Sequence, residues 1–175
     1  MKKQIRFGLF ETNSSSVHAI CINLGFSLSK LPTELYFEPS EFGWEYGYHD
    51  DTATKASYLY TSILACNLCK EYFPKIEKIL NKYGIKAIFD PVEIETTLSI
   101  YEYGLRVSSN SDVVDRTKSC SVDHGHENLG FITEVCSDEN KLMSYLFGDA
   151  VVETSNDNGG PDLETRSEDY DIAFY

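Results

Sequence analysis

Positive charge is scarce in this sequence. Its 15 lysines and arginines stand against 28 aspartates and glutamates, giving a net charge of −13 at neutral pH and a pI near 4.6. Direct nucleic-acid binding by phosphate neutralisation needs clustered Lys and Arg, so that class is set aside. Long apolar runs are missing as well, and without a stretch of about 18 apolar residues no membrane-spanning helix is expected. Met1–Arg6 carries two lysines but no apolar core or small-residue cleavage site. No signal peptide is expected from it, and the chain reads as cytoplasmic. There is no P-loop, dinucleotide fingerprint, H-E-x-x-H, kinase motif or G-x-S-x-G elbow, and no internal repeat.

What is present is enough for a folded core. A chain of 175 residues with 42% apolar and 13% aromatic content fits one domain and is incompatible with wholesale disorder. Strands are expected over 4–10, 17–24 and 35–37. A helix is expected from about Thr52 to Tyr72, because Ala56, Leu59, Ile63 and Cys66 recur at spacings of three and four. Pro74 opens a second helix that turns Ile76, Ile79 and Leu80 inward and stops at Gly84. Strands follow at 85–89, 92–96, 98–107 and 131–135. Ser137-Asp138-Glu139 then starts a third helix, running through Leu142 and Leu146 to Gly148. Ala150–Glu153 closes the pattern as a strand. The class is α+β, a mostly antiparallel sheet with about three helices in a single domain over residues 1–155. Residues 156–175 form an acidic, partly flexible tail, although Ile172–Tyr175 is apolar enough to dock.

The stretch FETNSSSVH, residues 10–18, places a carboxylate, five small hydrogen-bonding residues and a histidine in sequence. Ser14, Ser15 or Ser16 with His18 and Glu11 supplies the residue types of a nucleophile, a base and an orienting group. Residues so close in sequence rarely meet in that geometry. Asn and Ser also stabilise turns by bonding nearby backbone, and the turn is the favoured reading. His18 alternates with Ile20 and Ile22, as a partly buried histidine held by a hydrogen bond would.

With EFGWE at 41–45, KASYLYTSI at 55–63, VDHGHE at 122–127 and LFGDAVVETSNDN from Leu146, this stretch resembles a family of small proteins from bacteriophages and Gram-positive mobile elements. The resemblance covers most of the chain. It implies phage or prophage origin, and through that a role against host defence of the anti-CRISPR type.

Five cysteines, an odd number, point to thiols or metal ligands before disulfides. Cys66 and Cys69 form C-x-x-C on the expected long helix, where positions i and i+3 share a face. Cys120, His124 and His126 would project to one side of an extended segment. Together they could hold a tetrahedral Zn2+. The plainer reading makes Cys66 a small core residue flanked by Cys69 and leaves the histidines in a loop. Asp123, His124, His126 and Glu127 also invite a metal-dependent hydrolase using Glu11, His18, Asp123 and His124.

The leading expectation is an acidic binding protein. It would dock on the basic, nucleic-acid-binding groove of a bacterial defence protein and block loading, without touching nucleic acid itself. Glu41, Trp44, Glu45, Tyr46, Tyr48, Asp50 and Asp51 are the candidate contacts, because aromatics beside carboxylates make good interface anchors. Against it stands the reading that the charge serves solubility and the aromatics pack inward.

Overall fold

The alternation His18, Ile20, Ile22 makes β2, residues Ser16–Cys21, the centre of the fold. The computed structural model describes residues 5–7, 16–43, 45–91, 100–101, 104–105, 107–109, 118–122, 129–156 and 172–174. On one side of β2 lies β11 (Val151–Asn156), antiparallel, with Ile20 opposite Val152 and His18 opposite Thr154. On the other side lies β12 (Ile172–Phe174), also antiparallel, and beyond it β1 (Ile5–Phe7), parallel to β12. The apolar end of the acidic segment therefore docks inside the sheet. β5 (Gly47–His49) pairs with the outer side of β11 and ends the sheet, whose order is β1-β12-β2-β11-β5.

Helix α1, Thr52–Ala65, reaches this sheet through Tyr58, whose hydroxyl lies 2.9 Å from His18 Nδ1. Asp51 caps it by accepting a hydrogen bond from the Thr54 amide at 2.8 Å. Its Ala56, Tyr58, Leu59, Tyr60, Ile63 and Leu64 are all buried, so apolar side chains surround most of the helix. Around it sit the parallel pair β3 (Glu34–Phe37) and β6 (Lys86–Phe89), and the parallel pair β4 (Glu41–Phe42) and β10 (Lys118–Val122). β9 (Val107–Ser109) extends β10 antiparallel. Phe42, Tyr58, Phe131 and Tyr145 form a chain of edge-on rings, with centroids 5.0, 5.6 and 5.3 Å apart in that order.

The α+β class holds, with a mostly antiparallel sheet and four helices among the described residues. Three expected boundaries change. The helix expected over 52–72 is two helices, because Asn67 takes a left-handed φ of 55°. The Leu68 amide bonds the Ile63 carbonyl at 3.0 Å and the Asn67 amide bonds the Leu64 carbonyl at 2.9 Å, the paired closure that ends a helix. Helix α2 then runs Cys69–Lys82, with Pro74 inside it rather than at its start. Gly84 does end it, at φ 73°, by the same closure.

Residues 131–135, expected as a strand, lie in α3, Leu129–Ser137. Phe131, Ile132, Val135 and Cys136 are buried, and that spacing of one and four marks a helix face where a strand would alternate. Over 98–107, β7 (Ile100–Tyr101) and β8 (Gly104–Leu105) pair antiparallel, so the chain reverses where one strand was expected. The strand expected at 92–96 lies outside the described residues. Asp138 caps α4, Glu139–Phe147, accepting from the Asn140 and Lys141 amides as its sequence indicates.

Burial leaves a mark on the pH response. It pushes the Cys136 thiol up to about 12, and it holds the Tyr145 phenol well above its ordinary 10.0. The folded protein keeps both protons longer than the unfolded chain, so this stability is intact below pH 9.0 and is lost as pH rises beyond it. Burial lowers Lys55 below its ordinary 10.5, which tilts stability the opposite way. We expect Cys136 alone to remove about 2 kcal/mol between pH 9 and 10.5. Urea melts across that range should show a shallower fall in Cys136→Ala than in the parent protein. Parallel curves would contradict this.

Candidate functional site

A pocket of about 350 Å³ opens beside the edge strand β5, lined by Glu41, Phe42, Gly43, Glu45, Tyr46, Gly47, His49 and Thr154. The sheet register builds its inner wall. Thr154 stands opposite Gly47 across β11 and β5, and His49 is two residues further along the same face. The turn between β4 and β5 forms the rim. It is pinned because the Thr154 hydroxyl donates to the Glu45 carbonyl at 2.8 Å.

Gly47 is needed here for space. A Cβ on it would stand 2.3 Å from His49 Nε2 and 2.8 Å from Thr154 Oγ1. The His49 ring packs edge-on against Phe42 at 5.9 Å, and Phe42 continues into the Tyr58 cluster. Core packing thus fixes the pocket from behind. Gly47→Ala should push His49 out of place at a cost of about 1 kcal/mol. A drop in urea midpoint with a shifted His49 ring resonance would show it, and an unaltered His49 spectrum would contradict the packing.

The segment that carries the pocket rim is acidic, with Glu34 in it paired to Lys86 at 3.4 Å. Glu34, Glu38, Glu41, Glu45, Asp50 and Asp51 stand between Leu31 and Thr54 with no lysine or arginine among them, and all six are exposed. Tyr46 and Tyr48 are 56% and 54% exposed, high for large aromatics. Asp51 also has a structural task. Burial works to raise its pKa, but hydrogen bonds from Thr54, the backbone amide first, outweigh it and hold the carboxyl below the ordinary 3.8.

The structure thus brings Glu41, Glu45 and Tyr46 into one pocket, with Tyr48, Asp50 and Asp51 following along the same segment. Trp44 lies outside the described residues, as do Glu11, Asp123, His124 and His126. His18 is in the core, 4% exposed, with Nδ1 2.9 Å from the Tyr58 hydroxyl. It neighbours Thr154 across the ladder without lining the pocket.

The C-x-x-C does not lie on one helix face as expected. Cys66 is the C-cap of α1 and Cys69 the first residue of α2, with the left-handed Asn67 between them. Burial pushes the Cys66 thiol up to about 11 and raises Cys69 as well, so neither is a reactive thiolate at neutral pH. Of Cys120, only the backbone is described, in β10. Among the described residues no three His, Cys, Asp or Glu side chains group as a metal site. Metal analysis of reduced protein purified without a histidine tag tests the zinc expectation, and stoichiometric zinc is the result it requires.

Neither a family model, nor a curated protein, nor a solved structure matches the chain. No helix among the described residues is long and apolar enough to cross a membrane. Three pocket residues carry no signal in the local sequence: Gly47, His49 and Thr154. They come together through the pairing of β5 with β11, which joins segments over 100 residues apart.

Proposed function

We propose that this chain is an acidic binding protein that docks on the basic, nucleic-acid-binding groove of a bacterial defence protein and keeps nucleic acid from loading. One observation carries the reading. Exposed Glu41, Glu45, Tyr46, Tyr48 and Asp50 follow one another along the β4–β5 edge of the molecule, with no lysine or arginine in that segment. Such a surface repels nucleic acid and attracts whatever binds it, while the tyrosines supply contact area at low entropic cost.

The defence effector as partner, a CRISPR nuclease for example, rests on the resemblance to phage proteins. No observation favours the hydrolase. His18 is committed to the core, and the other three residues of that proposal lie outside the described ones.

The test is a pull-down with the tagged chain from lysates of bacteria that carry such systems, followed by affinity measurements on the captured protein. Affinity should fall steeply with salt, because exposed charges screen over a Debye length of about 8 Å at physiological ionic strength. A captured partner whose affinity ignores salt would overturn the docking mechanism.

A further inference from the structure

We infer that the pocket beside β5 is a receptor for an arginine side chain presented by the basic partner. The inference rests on the docking reading and names the group that is recognised. At about 350 Å³ the pocket is near the small end of ligand cavities, with room for a long side chain. Its lining includes Glu41 and Glu45, the half-exposed ring of Tyr46, His49 and Thr154. That set is rich in acceptors and aromatic faces, so its complement is a flat, donor-rich cation.

Guanidinium fits this description better than the alternatives. It presents five N–H donors in a plane, can engage a carboxylate with two of them, and stacks on aromatic rings. A lysine ammonium is a compact, strongly hydrated charge that uses neither the planar geometry nor the stacking. A divalent metal would need a tight group of ligands, and among the described residues no three His, Cys, Asp or Glu side chains form one. The site is also held in shape before any ligand arrives. Thr154 pins the Glu45 backbone, Gly47 leaves room for the His49 ring, and that ring packs on Phe42. Prior ordering of this kind reduces what binding must spend on immobilising the loop.

The test uses the whole chain labelled with nitrogen-15, titrated with acetyl-Gly-Arg-Gly-amide and separately with acetyl-Gly-Lys-Gly-amide. The arginine peptide should give saturable shifts centred on the amides of Phe42, Gly43, Gly47 and Thr154, with affinity about tenfold above the lysine peptide. Glu45→Gln should weaken the arginine peptide by about tenfold, whereas Glu38→Gln, outside the pocket, should leave it unchanged. Equal affinity for the two peptides, or shifts spread over the acidic surface and indifferent to Glu45→Gln, would overturn the arginine pocket. Failure there is distinguishable from failure of the docking reading, which stands or falls on the salt dependence of the captured partner.

Discussion

Lys55→Met is expected to lower the stability of this protein by about 3 kcal/mol and its melting temperature by about 9 °C, which urea and thermal melts would read. Lys55 is 1% exposed, and its ammonium donates to the Gly148 carbonyl at 3.0 Å and the Ala150 carbonyl at 3.1 Å. Gly148 is the C-cap of α4, so the cation sits at the negative end of that helix. Methionine fills similar space but leaves both carbonyls without this donor, at about 1–3 kcal/mol each. Relief from burying a charge offsets part of the loss. Two further bonds tie the same elements: Tyr145 donates to the Lys55 carbonyl at 2.8 Å, and Thr52 to the Leu146 carbonyl at 3.0 Å. The clamp fastens the first turn of α1, and with it Asp50 and Asp51, to the end of α4 and the start of β11. An unchanged melting temperature would mean that the two carbonyls find equal partners elsewhere.

The second large effect is on binding. Reversing Glu41, Glu45 and Asp50 to lysine takes the net charge from −13 to −7, since each reversal adds two units. Asp51 is left alone because it caps α1, and replacing it would confuse a lost interface with a frayed helix. The triple variant should bind the captured partner at least about 100-fold more weakly at low salt, from roughly 1 kcal/mol for each reversed charge. Its slope of affinity against salt should be shallower, and its melting temperature close to the parent's. Calorimetric titration of parent and variant at two salt concentrations reads both quantities. Equal affinities would place the contact surface elsewhere.

Local chemistry made much of this fold legible. Asp138 announces the start of α4, Gly84 the end of α2, and the alternation through His18, Ile20 and Ile22 the central strand. The errors also have physical causes. Asn67 ends α1 in a conformation usually given to glycine, so an unbroken apolar pattern concealed the break at the C-x-x-C. Phe131 to Cys136 is rich in strand-forming residues, but burial at spacings of one and four decided for a helix. The candidate site was half visible. Its acidic and aromatic rim is contiguous in sequence, whereas the inner wall depends on β11 laying Thr154 against Gly47, and no local pattern encodes that register.

If the chain and nucleic acid compete for one groove, fluorescence anisotropy reads the competition. A labelled RNA or DNA is loaded on the captured partner, and the chain is titrated in. Anisotropy should fall to the value of the free nucleic acid, with a midpoint that moves to higher chain concentration as nucleic acid is raised. Anisotropy that holds or rises, with chain, partner and nucleic acid in one complex, would contradict competition.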